Sequence, residues 1–193
     1  IRRMEEVRYA LEWMWPVLSA SELLNDLYSS RALIASAAAG RLSDDEIDLL
    51  ISPHHDDASE RVWAFADAPV LDEALVRLGA RPGRRESDVI RTYGHILVDE
   101  AQDLSPMELR TLRRRRLGGS MTVVGDIAQA TSPWAHDDWD EVLEALPQRR
   151  PARRVELRTG YRLPGPIMEL AAQLLPLAAP GLVASAIFVF LES

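Results

Sequence analysis

The chain has 193 residues, 47% of them hydrophobic, which is enough to fill one or two small cores. It contains no cysteine, which excludes a disulfide framework and any cysteine-based zinc or redox site. A net charge of −8 argues against a broad electrostatic grip on nucleic acid, because such a grip needs a basic face.

Residues 1 to about 80 read as helical. Met4, Val7, Leu11, Met14 and Leu18 recur at spacings of three and four, and Pro16 bounds this first helix. Ser21 opens a second helical stretch, and Leu27, Leu33 and Ile34 continue its apolar side toward Gly40. Ser43, with Glu46 three residues later, predicts a capping box before Ile47, Leu49 and Leu50. An amphipathic helix follows from Ala68 to Leu78, stopped by Gly79. Residues 52–59 and 81–87 read as loops by composition. In the first of these, His54 and His55 beside Asp56 and Asp57 are expected to be solvated rather than metal-binding, since adjacent side chains in a loop diverge. Trp13, Trp15 and Trp63 are expected to pack in a core or at its edge.

The second half changes character. Ile96 to Asp99 reads as a buried strand, apolar until its carboxyl end, where Asp99 and Glu100 stand side by side. Open α/β sheets gather ligands at such strand ends. Adjacent acids there suit nucleoside triphosphate hydrolysis, one holding Mg²⁺ through water and the next taking a proton from the attacking water. Ser105 as cap and Pro106 in the first turn open a helix that runs to Arg113–Arg116 and ends at Gly118-Gly119. Its arginine run reads as a complement to the helix dipole rather than as a nucleic-acid patch. Met121–Val124 is a second strand, followed by Gly125-Asp126 and then Gln129. Arg154–Leu157 is a third, leading into Gly160-Tyr161-Arg162. Pro164-Gly165-Pro166 opens a helix over Ile167–Leu175. The final apolar run, Ala184–Leu191, is too short to span a bilayer. Its alternating bulk suits a strand that needs a partner, so self-association through 184–191 is expected if it is exposed.

The three ordered stretches Val98-Asp99-Glu100-Ala101-Gln102-Asp103, Val123-Val124-Gly125-Asp126-Ile127-Ala128-Gln129 and Glu156-Leu157-Arg158-Thr159-Gly160-Tyr161-Arg162 resemble motifs II, III and IV of the UvrD/Rep-like superfamily-one helicases. Tyr93-Gly94-His95, Asp103-Leu104-Ser105-Pro106-Met107 and Ala130-Thr131 are similar to the HelD-like branch, ATPases that bind bacterial RNA polymerase. The resemblance covers roughly residues 91 to 175. It implies an α/β fold, with a RecA-like parallel sheet, flanking helices and a mostly helical N-terminal portion. It further implies ATP and Mg²⁺ as cofactors, with Asp99 on the metal, Glu100 as general base, Gln129 sensing the γ-phosphate or the attacking water, and Arg162 as an arginine finger. Tyr161 would stack on adenine, Asp126 would belong to the nucleotide-binding set, and Gln102 and Asp103 would tie the site to its neighbours. Trp134 would be the nucleic-acid contact. In DNA-unwinding relatives the third motif carries a Tyr where Ser132 stands and an Arg where Ala135 stands. Losing a stacking platform weakens strand grip by ~1–3 kcal/mol per base, which favours remodelling of a protein complex over processive unwinding.

Half of the expected site is missing from these residues. A Walker A loop, Gly-x-x-x-x-Gly-Lys-[Ser/Thr], needs a lysine, and all 22 basic residues here are arginine. The expectation is therefore a motor fragment, inactive alone. Residues 1–88 would be the helical part of the first motor domain, 89–150 the RecA-like core with motifs II and III, and 151–193 the start of the second motor domain with motif IV. The alternative is a non-catalytic docking module that keeps the ATPase fold and binds RNA polymerase. RNA polymerase or DNA is the expected partner, with no membrane. Nothing resembling a signal peptide is present, so the expected location is cytoplasmic.

Overall fold

A computed structural model of the protein describes residues 5–79, 89–134, 136, 138–147, 150–157, 164–178 and 186–191. The fold is mixed α/β. The chain divides into two compact units, Ile1–Val89 and Ile90–Ser193.

The first unit is helical: α1 (Glu5–Met14), α2 (Ala20–Tyr28), α3 (Arg31–Ala38), α4 (Asp44–Leu50) and α5 (Ala68–Leu78). Serine caps set these boundaries. Ser19 accepts from the Glu22 N–H at 3.1 Å and gives its own N–H to the Glu22 carboxylate at 2.6 Å. That capping box starts α2 two residues before the expected Ser21. The Ser30 hydroxyl caps α3, so the apolar run from Leu27 to Ile34 is broken into two helices. Ser43 and Glu46 form the predicted box, and Gly79 ends α5. Leu24, Ile34, Ile47 and Ala74 are buried.

Buried Asn25 holds the 52–59 loop from both sides. Its Nδ2 donates to the His55 carbonyl at 2.9 Å, and its Oδ1 accepts the His55 N–H at 3.2 Å. Arg61 stacks 5.3 Å from the Tyr28 ring centroid and 4.8 Å from that of Trp63, so Trp63 packs as expected. Trp13 and Trp15 do not. They are 79% and 83% exposed, because α1 buries no residue and gives its aromatics no core to join.

The second unit runs β1 (Ile96–Val98), α6 (Pro106–Arg115), β2 (Met121–Gly125), α7 (Trp139–Ala145), β3 (Arg153–Leu157), α8 (Gly165–Ala178) and β4 (Ala186–Leu191). Its four strands form one sheet in the order β1-β2-β4-β3. β1 and β2 are parallel, with Val98 opposite Val123, while β4 is antiparallel to both β2 and β3. Three strands thus point one way and the fourth, in the interior, points back. The parallel sheet that the resemblance implies is met by the β1–β2 pair, and β4 makes the sheet as a whole mixed. β3, expected to open a second domain, lies in the same sheet as β1 and β2. The apolar tail forms β4, with both edges paired.

Val98, Met121 and Val123 pack with Ala101, with Leu109 of α6 and with Trp139, Val142 and Leu146 of the α7 segment into one buried core. Leu97 points from the other face and is 70% exposed. β1 is therefore covered on one face only, not buried as its apolar run suggested. Ser105 and Glu108 box the start of α6. At its other end Arg115 Nη1 donates to the Thr111 carbonyl at 3.2 Å, and Arg116 donates to the carbonyls of Gly119 at 3.2 Å and Pro147 at 2.6 Å. These two members of the arginine run close backbone carbonyls. No helix among the described residues is long and apolar enough to cross a membrane.

Candidate functional site

The carboxyl ends of β1 and β2 lie side by side, and the chain makes a tight turn after each. Asp99 leaves β1 exposed, and its Oδ1 accepts the Glu100 N–H at 3.0 Å. Glu100 adopts the left-handed conformation, φ 51° and ψ 42°, which is unfavourable for a residue with a Cβ. The reversal keeps both acids at the rim while Ala101 and Gln102, in the following 3-10 turn Ala101–Asp103, enter the interior.

Gln102, 1% exposed, joins the two turns. Its Nε2 donates to Glu100 Oε2 at 2.7 Å, and its Oε1 accepts the Asp126 N–H at 3.0 Å. The amide can donate to a carboxylate through its nitrogen and accept from a backbone N–H through its oxygen at once. Gly125 makes room for it, since a Cβ there would collide with Gln102 Oε1 and come within 3.1 Å of the Ala101 nitrogen.

Asp126 caps the next 3-10 turn, its Oδ1 accepting from the Ala128 N–H at 3.0 Å and its Oδ2 from Gln129 Nε2 at 2.7 Å. Gln129 is exposed and held by Asp126. Asp103 reaches across to the same loop, accepting the backbone N–H groups of Thr131 at 2.8 Å and Ser132 at 2.9 Å. Those two bonds, Thr131 first, hold its carboxyl below the ordinary carboxylate range. Buried His136 closes the loop on the same side. Its Nε2 donates to the Leu104 carbonyl at 2.9 Å, and its Nδ1 stands 3.6 Å from Glu141. Trp134 is 61% exposed, its N–H donating to the Ser132 hydroxyl at 3.2 Å.

Asp99, Glu100, Gln102, Asp103, Asp126 and Gln129 therefore stand on two adjacent, mutually braced turns. Tyr161 and Arg162 lie outside the described residues. Gly125 and His136 join the site as well, beyond the residues expected from the sequence. A glycine just after an apolar strand was a readable signal for the first; nothing local marked His136, whose partners are Leu104 and Glu141.

Mg²⁺ takes one or two carboxylates and keeps several waters, so an exposed Asp99 at a strand tip is a suitable donor. Among the described residues no group of three or more His, Cys, Asp or Glu converges on one point. The triphosphate is different. With no lysine in the chain and no Gly-rich phosphate loop, these residues alone do not make a cradle for it. No protein-family profile matches the chain, and no curated protein sequence matches it.

Proposed function

We propose that this chain carries the metal-and-water half of an ATP-hydrolysing site of the superfamily-one helicase-like class, on part of a RecA-like sheet. The observation that carries the reading is the Gln102 bridge, which ties the acid pair after β1 to the Asp126–Gln129 turn after β2. In this reading Asp99 takes Mg²⁺ through water. Glu100, fixed by Gln102, accepts the proton of the attacking water. Gln129 orients that water or the γ-phosphate, and Arg162 and Tyr161 contribute the charge and the adenine contact. The phosphate cradle comes from polypeptide other than these residues.

Turnover in such a motor drives remodelling, and the third-motif loop favours a protein complex as its object. Ser132 is tied to Asp103 where a stacking aromatic would stand, leaving Trp134 as the exposed ring. RNA polymerase on DNA, in the cytoplasm, is the partner that the HelD-like resemblance suggests.

The test is ATP turnover by a polypeptide joining this chain to a Gly-x-x-x-x-Gly-Lys-Thr strand and loop, wild type beside Glu100→Gln. Turnover should fall by roughly 10²–10⁴-fold in the variant while ATP binding is kept. Turnover by the isolated chain, or equal rates in the two proteins, overturns the reading.

A further inference from the structure

We propose that His136 is a positioning residue: together with Asp103 it pins both ends of the loop after Gln129 to the turn after Glu100, holding Gln129, Glu100 and the Trp134 ring as one unit. The clamp rests on geometry alone, and its effect on turnover rests on the ATPase reading.

Two consecutive residues do the holding. Asp103 closes the 3-10 turn Ala101–Asp103, and its Oδ1 accepts the N–H groups of Thr131 at 2.8 Å and Ser132 at 2.9 Å. Leu104, next in sequence, has extended backbone and precedes the Ser105 cap, so its carbonyl lies outside the hydrogen-bond ladder of α6. Buried His136 meets that carbonyl with Nε2 at 2.9 Å. A carbonyl only accepts, so the contact requires the proton on Nε2. Donor and acceptor here are withdrawn from water together, and separating them leaves both without a bond. Between the two anchors the Trp134 N–H donates to the Ser132 hydroxyl at 3.2 Å, and the Trp134 ring is exposed.

The path from the clamp to the acids is short. Gln129 stands two residues before Thr131 and is bound to Asp126 Oδ2 at 2.7 Å. Glu100 heads the turn that Asp103 closes, and its Oε2 is bound to Gln102 at 2.7 Å. Held by Asp103 alone, the loop could pivot about a single carboxylate. A second anchor at position 136 removes that freedom. Misplacing a reacting group by about 1 Å can cost ~10²-fold in rate, so a loosened loop should be felt at Gln129 before it is felt in the fold. Holding the loop also lowers the ordering cost when the Trp134 ring meets a partner.

One readout uses the wild-type chain. Nitrogen NMR of the four histidine rings, with His136 assigned through its backbone, should show an N–H at Nε2 that exchanges slowly with water. A His136 ring without that proton overturns the proposal. In chain grown with 5-fluorotryptophan, Trp134 gives one of five fluorine lines, assigned by Trp134→Phe. His136→Phe keeps a ring and removes the donor. It should shift or broaden the Trp134 line and speed amide exchange at Thr131 and Ser132 by at least about tenfold. The lines of Trp63 and of buried Trp139 should stay in place. His136→Gln, which returns an N–H donor, should restore both signals. Should His136→Phe not fold, His136→Asn, whose shorter amide falls short of the Leu104 carbonyl, takes its place. An unchanged Trp134 line means that Asp103 holds the loop alone, and the proposal falls. It falls likewise if His136→Gln restores nothing, or if all five lines of a folded variant move together. On a polypeptide that supplies the phosphate loop, His136→Phe should lower kcat at least about tenfold with KM for ATP unchanged, and His136→Gln should regain it. Equal kcat in wild type and His136→Phe overturns the positioning role. No turnover by the wild-type polypeptide overturns the ATPase reading and leaves the clamp standing.

Discussion

Gln102 is the side chain on which the rim depends, and Gly125 is the residue that admits it. Any Cβ at position 125 meets the Gln102 amide on one side and the backbone of Ala101 on the other, so the amide must move and its bond to the Asp126 N–H must break. Gly125→Ala should cost about 1–3 kcal/mol in urea unfolding. Gly118→Ala, with nothing within 4 Å of the added methyl, should stay within about 0.5 kcal/mol and serves as control. Asp103 gives a pH-dependent signal of the same architecture. Its carboxyl is held below its ordinary value by the Thr131 and Ser132 N–H groups, so its stabilising effect is full above the unfolded value of about 3.9. That effect is lost as pH falls through the lower folded value. The melting temperature of wild type should exceed that of Asp103→Asn by a constant margin above about pH 5, and the margin should close below about pH 4. A margin that grows in acid would remove Asp103 as the brace of this loop.

At the level of the elements, caps decide where helices begin and end, and caps are local. Ser43 with Glu46 and Ser105 with Glu108 were legible because both halves of each box lie within one turn. α7 is equally legible: Asp138 caps it, acids fill its first turn, and Trp139, Val142 and Leu146 recur at helical spacing. The carboxyl end of α3 yields a direct test. Ala39 ends that helix in the left-handed conformation at φ 50° and ψ 41°, donating its N–H to the Ala35 carbonyl at 3.2 Å. Glycine adopts this conformation without the Cβ clash, so Ala39→Gly should raise stability by about 1 kcal/mol, whereas Ala39→Val should lower it. Thermal melting of the two variants checks the sign of both. The place of β4 was not legible, for a physical reason. An apolar alternation announces a strand but carries neither its direction nor its neighbours. Pairing residue 121 with residue 191 is decided by which slot in the sheet needs filling.

Charge acts on the molecule as a whole. The sum is −8, and several arginines are already engaged: Arg31 with Asp44 and Asp48, Arg77 with Glu73, Arg154 with Asp140, and Arg116 with two carbonyls. Exposed pairs of this kind add little stability, but they lower the positive potential that a phosphate backbone would meet. The four consecutive arginines at positions 113–116 are the strongest local exception to the acidic balance. Their helix-end position, with Arg115 and Arg116 donating to carbonyls, assigns them a structural part. A labelled oligo-dT strand should therefore bind the chain no tighter than about 10⁻⁴ M at physiological salt, the weak limit of non-specific contacts. Arg113→Ala combined with Arg114→Ala should leave that value unchanged. Tighter binding that weakens steeply with salt and is abolished by the double variant would make the α6 terminus a strand-binding surface. In that case nucleic acid, and not a protein complex, would be the object of the proposed activity.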